Sequence, residues 1–285
     1  YAYDIQSPMW QDGAVAQRLI AIPGFGGLDR HPSTNQRLGF RKGEWRFPDR
    51  TVLAKTLTMP VYESSESTEL TPRKLETQVL QLVDGFWQAY SFIWNADGTD
   101  AELSDGKGSD TRLLLTDENV PGGRRELNWH FASRAECLLC HNQLYGTVNG
   151  LTAEQLGGSE SEGQLHELIQ LGLVRERPQP IRKPLANPHD TTASLGERAR
   201  SYLHANCAHC HHQGGGGATV FDLYHHLPLE RTKLVGLEPA QGHFGLDDAR
   251  LEVTVRNTAT CPLSLRSEGE KAGQPQLRCS ASPGG

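Results

Sequence analysis

The sequence predicts an α+β protein in which an antiparallel β-rich N-terminal region is followed by mainly helical and irregular segments. Residues 51–115 contain short β-branched and aromatic runs separated by turn signals. From about Leu127, cysteine and histidine appear and helical spacing replaces alternation. A proline-rich stretch between Arg175 and Pro188 is typical of an extended linker. The predicted parts are a β-rich region 1–126, a first motif-bearing segment 127–180, and a second motif-bearing part with an irregular tail, 181–285.

The β-rich region is predicted to be an antiparallel meander. Residues 1–50 are rich in glycine, proline and charged side chains, so mostly loop is expected there. The predicted strands are Thr51–Thr58 (ended by Pro60), Leu75–Val83, Phe86–Trp94 and Thr111–Leu115. The turns between them are predicted at Asp84-Gly85 and at Asn95–Gly98.

Composition excludes two classes of function. The net charge of −6 gives no reason to expect a nucleic-acid partner. No stretch approaches the roughly 18 consecutive apolar residues that a membrane-spanning helix needs, so no transmembrane segment is expected. The start, Tyr1-Ala2-Tyr3-Asp4, has neither a basic nor an apolar leader segment. We therefore expect a mature end from which a signal peptide has been removed.

The chain contains two CxxCH motifs, Cys137-Leu138-Leu139-Cys140-His141 and Cys207-Ala208-His209-Cys210-His211. On a helix, residues three and four apart share a face, so the two thiols of each motif point the same way. Each thiol can form a thioether bond with a haem vinyl group, and the following histidine ligates the iron. The sequence therefore predicts two covalently bound haem c groups, with His141 and His211 as the proximal iron ligands.

Zinc is the main alternative, because Cys137, Cys140, Cys207 and Cys210 could form a Cys₄ site. The gap of 66 residues between the pairs exceeds the roughly 15–20 of a zinc ribbon. Zinc also has no use for a histidine directly after each pair. A redox-active dithiol is a further alternative.

The motif surroundings resemble known haem proteins. The run Gly196–His211 resembles the first helix and haem motif of class I cytochrome c domains, and Ser133–His141 is similar to a little-characterised family of exported bacterial dihaem proteins. Some relatives in that family are fused to quinoprotein-like sugar dehydrogenase modules. Its β-rich front part is similar to Thr51–Thr56, Leu75–Leu80 and Tyr90–Asn95. The resemblance spans roughly residues 45–250 and implies cytochrome c-like haem domains after the β-rich region.

The distal iron ligands stay open. The resemblance implies a distal methionine from a Met-Pro segment near the C-terminus, but no methionine follows Met59. The candidates are His130, seven residues before Cys137; His243, downstream of the second motif; and Met59. Near alternatives are His225 and His226, and more distant ones are His204 and His189. Bis-histidine ligation of at least one haem is expected, which implies a lower potential than His/Met ligation.

The two histidines and the glycines that flank the second motif are not expected to bind the iron. His209 and His212 flank the motif and are predicted to be solvated. The glycines 214–217 either let the backbone pass close to the haem edge or form a flexible loop.

The function predicted from these residues is electron transfer outside the cytoplasm, in the periplasm or at the cell exterior. The partners would be redox proteins or other cytochromes, with the chain alone or in a multi-subunit complex. One alternative is a dihaem peroxidase, for which the 70 residues from Cys137 to Cys207 are few. Another is a structural haem-bearing subunit of a respiratory or photosynthetic complex. Cys261 and Cys279 either form a disulfide or remain thiols.

Overall fold

The computed structural model describes residues 1–24, 26–30, 45–142, 148–157, 162–175, 183–212, 215–217 and 220–234, and the backbone of two strands at 249–253 and 263–267. Among the residues that the structure describes, 34% lie in strands and 18% in helices. It divides into two compact units. The first comprises Tyr1–Asp4, Trp10–Val148 and Gly158–Pro180, and the second comprises Ile5–Met9, Asn149–Gly157 and Ile181–Gly285.

The described elements follow in chain order. The strands are β1 (Ala2–Tyr3), β2 (Val15–Ala21), β3 (Asp29–Arg30), β4 (Trp45–Arg46), β5 (Val52–Val61), β6 (Thr71–Val83), β7 (Phe86–Trp94), β8 (Ala101–Leu103), β9 (Ser109–Thr116), β10 (Arg124–Phe131), β11 (Ala249–Val253) and β12 (Leu263–Ser267). The helices are α1 (Arg134–Cys140), α2 (Ala153–Leu156), α3 (Gly163–Gln170), α4 (Leu195–Cys207) and α5 (Leu229–Thr232).

The first unit is built on a six-stranded antiparallel sheet in the order β1-β2-β5-β6-β7-β8. Three of the four predicted strands correspond to β5, β6 and β7, which follow one another in antiparallel order as predicted. The fourth predicted strand, Thr111–Leu115, lies in β9 and pairs with β10 in a separate sheet, whereas β8, the neighbour of β7, was not predicted. The turn between β6 and β7 is Asp84-Gly85, and both residues have positive φ, as a type I′ turn requires. Strand β5 continues through Pro60, where the sequence predicted an end. Pro60 lies beyond Thr58, the last β5 residue that pairs with β2, so the ladder needs no N–H on that side.

One face of this sheet is covered by the hairpin of β9 and β10. The buried core residues from β5 and β6 are Leu57, Met59, Val61 and Leu75, and those from the hairpin are Leu113, Leu115, Trp129 and Phe131. An isolated bridge between Tyr62 and Leu114 joins the end of β5 to β9. The same core supports the segment that leads directly into the first CxxCH motif.

The predicted fold class is wrong for the motif-bearing segments, which are not helical cytochrome c-like domains. In the described ranges, α4 is the longest helix at 13 residues, and the others have four to eight. Helices this short bury too little surface to form a helical core by themselves. Where helix was predicted from Leu127, β10 runs to Phe131 with Trp129 and Phe131 buried and His130 exposed between them. That alternation has the period of a strand.

Within the described segments, no helix combines the length and apolar character that crossing a membrane would demand.

We expect Leu57→Ala to destabilise the sheet by about 2–5 kcal/mol, because Leu57 is fully buried and its removal leaves a cavity. Leu103→Ala is the matched control, since Leu103 is 54% exposed on β8 and should cost no more than about 0.5 kcal/mol. Urea unfolding followed by circular dichroism measures both. Equal losses in the two variants would contradict this description of the core.

Candidate haem attachment sites

The first motif lies on α1, a short helix held by its own caps. The hydroxyl of Ser133 accepts a hydrogen bond from the backbone N–H of Glu136, and the Glu136 carboxylate accepts one from the backbone N–H of Ser133. This capping box satisfies two of the N–H groups that a helix start leaves unpaired. At the other end, the side-chain amide of Asn142 donates to the carbonyls of Leu138 and Leu139, at 2.8 Å each. No residue of α1 itself is buried.

The motif residues complete one helical turn. The backbone N–H of His141 donates to the carbonyl of Cys137 at 3.0 Å. Cys137 and Cys140 are half-buried thiols that are not part of a disulfide. Since they are three residues apart on a helix, both thiols lie on related faces of the same turn, as attachment to one haem requires.

Helix α1 contacts β7 through Arg134, at the part of β7 that does not pair with β8. The Arg134 side chain donates from Nε to the carbonyl of Ala89 at 3.1 Å, and its guanidinium lies 5.2 Å from the Tyr90 ring centroid. A small cleft open to solvent lies beside Cys137 and is bordered by Ala89, Tyr90 and Ser91. Cys137 therefore faces an open space beside the sheet.

The surroundings of Cys137 do not favour a redox dithiol. Burial raises the pKa of the Cys137 thiol, the nearby Glu76 carboxylate raises it further, and Lys55 opposes both. Reactive redox cysteines have lowered pKa values, because the thiolate is the nucleophile.

The second motif ends α4, which is capped by the Ser194 hydroxyl accepting from the backbone N–H of Glu197. The buried Leu203 anchors the helix in a small core that also includes Leu223 and Leu234. Beyond Cys207 the chain stays in a helical turn, and the backbone N–H of His211 donates to the carbonyl of Cys207 at 2.8 Å. Cys207 and Cys210 are also half-buried thiols.

The ring of His211 is held on two sides. It stacks on Phe221, with ring centroids 5.2 Å apart and planes 13° apart. On another side passes Gly217, whose N–H donates to the carbonyl of Cys210 at 3.0 Å. A Cβ on Gly217 would lie 2.8 Å from His211 Nδ1, so only glycine fits there. Burial lowers the pKa of His211, which favours the neutral imidazole that binds metals.

Gly217 therefore lies close to the ring of His211, while the approach of the glycine loop to a haem edge stays a prediction. Phe221 was missed by sequence reasoning; an aromatic residue shortly after the glycines was the available signal. The expectation that His212 is solvated is wrong. His212 is only 6% exposed and stacks on Tyr224, with ring centroids 5.4 Å apart.

Two of the predicted distal ligands have other contacts. His130 lies between two carboxylates, with Nδ1 2.7 Å from Asp110 and Nε2 3.1 Å from Glu136. Met59 is 2% exposed within the core that the hairpin covers. His243 lies outside the described residues. All three remain predictions, and ligation by His130 would require at least one of its carboxylate contacts to break.

Among the other histidines considered as distal iron ligands, His204 accepts a hydrogen bond at Nδ1 from the backbone N–H of His225, at 3.2 Å. Cys261 and Cys279 lie outside the described residues, so their pairing stays a prediction as well. Across the part of the chain that the structure describes, no three His, Cys, Asp or Glu side chains are gathered to hold a metal ion.

Comparison with known proteins finds no matching family model, no matching curated protein and no matching solved structure. The family resemblance noted from the sequence therefore stays an expectation, and function has to be argued from the residues.

We expect Gly217→Ala to destabilise the second unit by about 1–3 kcal/mol, because the added methyl group collides with the His211 ring and the Cys210 carbonyl. Gly196→Ala is the control, since nothing lies within 4 Å of the added Cβ and alanine favours the helix by up to about 1 kcal/mol. Urea unfolding distinguishes the two. A Gly217→Ala variant as stable as the parent would argue against the close approach.

The contacts of His130 predict a pH dependence of stability. Hydrogen bonds to Asp110 and Glu136 raise the pKa of His130 above its ordinary 6.5, so this contribution is present below pH 6.5 and is lost as pH rises through the raised pKa. Hydrogen bonds from Ser133 and His130 lower the pKa of Glu136 from 4.5 to about 2, so its contribution is lost as pH falls from about 4.5 toward 2. We expect the His130→Ala variant to lack the fall in stability that the parent chain shows as pH rises above 6.5, as measured by urea unfolding at a series of pH values. An unchanged pH profile would remove His130 from this network.

Proposed function

We propose that this protein is a dihaem c-type cytochrome that transfers electrons outside the cytoplasm. The observation that carries the proposal is the shared geometry of the two motifs. In each, the histidine N–H donates to the carbonyl of the first cysteine, at 3.0 Å for His141 and 2.8 Å for His211. Each motif also presents two half-buried thiols on one helical turn.

The chain supplies suitable donors for haem c. Thioether attachment needs two thiols three residues apart, and iron ligation needs a neutral imidazole next to the second thiol. His211 meets that requirement with a lowered pKa and a ring fixed between Phe221 and Gly217. Haem c, when bound, supplies one-electron exchange at its iron.

The surroundings of the two motifs differ, and this supports separate roles for two haems in one relay. Cys137 borders an open cleft beside an antiparallel sheet. Cys207 lies at the end of α4, beside a small apolar core. Because charge, burial and hydrogen bonding set haem potentials, unlike surroundings predict unlike potentials. The partners that fit this proposal are redox proteins or other cytochromes.

The direct test is the haem content of the chain after export in a host that matures c-type cytochromes. We expect two covalently bound haems by intact mass and by the pyridine haemochrome spectrum. Cys137→Ala/Cys140→Ala should lose one haem, and Cys207→Ala/Cys210→Ala should lose the other. Cys261→Ala/Cys279→Ala is the matched control and should keep both.

A parent chain that exports and folds without haem would overturn the proposal. Bound zinc in its place would favour the Cys₄ alternative. If both haems attach and carbon monoxide or peroxide binds one of them readily, a dihaem peroxidase replaces electron transfer as the favoured function.

A further inference from the structure

A row of polar side chains crosses the covered face of the six-stranded sheet. In the observed register, the cross-strand partners are Tyr3 and Arg18, Arg18 and Lys55, Lys55 and Gln78, and Gln78 and Ser91. Residues directly opposite each other in an antiparallel sheet point to the same face. These five side chains therefore form one line from β1 to β7, and we call it the polar row.

The polar row lies among buried apolar residues. On β5, Lys55 is flanked by Leu53 and Leu57, which are 6% and 0% exposed and point to the same face. On β2, Ile20 is buried two residues from Arg18. A cationic row in such a place has a desolvation cost that an apolar row would not have.

Neither cation of the row forms an ion pair with a described carboxylate, although the charge of Glu76 acts on Lys55 and that of Asp4 acts on Arg18 from a longer distance. Within the described ranges, no carboxylate lies within salt-bridge distance of Arg18 or Lys55, and the Arg18 guanidinium has one long hydrogen bond, 3.3 Å to the Ala16 carbonyl. The nearby buried carboxylate, Glu76, accepts instead from Ser91 at 2.6 Å and from Gln78 at 3.1 Å.

The pKa shifts of these side chains agree with this geometry. Burial, and then the neighbouring Arg18, lower the pKa of Lys55 to about 8. Burial also lowers the pKa of Arg18 and raises the pKa of Tyr3 to about 12, so the Tyr3 hydroxyl remains a donor. A buried charge without an ion-pair partner is costly, so an anion with two negative groups would stabilise these two adjacent half-buried cations.

The row begins beside the first attachment cysteine. Ser91 borders the same cleft as Cys137. From Ser91 on β7 to Arg18 on β2 are three strand spacings, or about 14 Å at about 4.8 Å each. That separation suits a haem anchored at Cys137, because the propionates lie on the edge of the ring opposite the thioether bonds.

We propose that Arg18 and Lys55, with the Tyr3 hydroxyl, bind the two propionates of the haem attached at Cys137 and Cys140. This inference rests on the proposed haem attachment. It assigns the β-rich region a direct part in the first haem site and makes Lys55 and Arg18 positioning residues for that haem. It also predicts that they set its potential, since cations beside the propionates offset negative charge near the iron and favour the reduced state.

The test is a redox titration of the haem-loaded full chain carrying Arg18→Gln and Lys55→Gln, singly and together. We expect one of the two midpoint potentials to shift downward, most in the double variant, while the other stays in place. The shifted midpoint should be the one that disappears in Cys137→Ala/Cys140→Ala. Lys55→Arg keeps the charge, so its midpoint potential should stay close to that of the parent chain. The matched controls are the exposed strand residues Lys74→Gln and Arg112→Gln, which should move neither midpoint.

A second measurement separates binding from general destabilisation. In the haem-loaded chain, the double variant should unfold at lower urea than the parent. In the full chain with all four motif cysteines replaced by alanine, the same substitutions should unfold at equal or higher urea, because they remove unpaired buried charge. An equal loss of stability in the haem-loaded chain and in the chain without motif cysteines would overturn the inference.

The outcomes distinguish this inference from the proposed function. If no haem attaches to the parent chain, the proposed function fails. If both haems attach and neither midpoint moves in the double variant, the inference alone fails. A change of the first haem to high spin in Lys55→Gln would mean that Lys55 binds the iron, which also overturns propionate binding.

Discussion

The register of the six-stranded sheet is the constraint on which the first unit depends. Side chains alternate between faces along a strand, so a slip of one residue would move every side chain to the opposite face. In the observed register, the β5 residues Leu53 and Leu57 are buried, and Lys55 between them joins the polar row. A bulge between Leu57 and Thr58 then changes the register for the rest of β5, where Met59 and Val61 meet the hairpin. One strand thus contributes to both the apolar core and the row of cations.

The two motifs reach the same local geometry by different means. Helix α1 has its caps and the contacts of Arg134 with β7. Helix α4 instead buries Leu203 and places His211 against Phe221. The backbone bond from each histidine to the first cysteine of its motif is local, so it forms in either setting. The pentapeptide can therefore be placed on unlike scaffolds, and the scaffold decides the charge and packing around it.

Local signals were predictable from the sequence and long-range ones were not. Phe86–Trp94 was predicted with the bounds that β7 has, because its alternation and its flanking turns are adjacent in sequence. Strand β2 was missed, since Arg18 occupies the covered face and breaks the apolar alternation that reveals a strand. The CxxCH motifs were found because all their chemistry lies within five residues. The cross-strand pairing of Arg18 with Lys55 joins residues 37 positions apart, so no short window of sequence contains it. Phe221 lies only ten residues after His211, but nothing in that stretch shows that the two rings stack.

The helix that carries the first motif buries none of its residues, and Leu139 between the two cysteines is 67% exposed. The sheet beneath it has its own core, formed by residues of β5, β6 and the hairpin. The scaffold can thus reach its folded state while the motif is still on the surface, within reach of a modifying enzyme. If haem c attaches here as proposed, its attachment would follow folding of the sheet, so the haem would be added to an already folded protein.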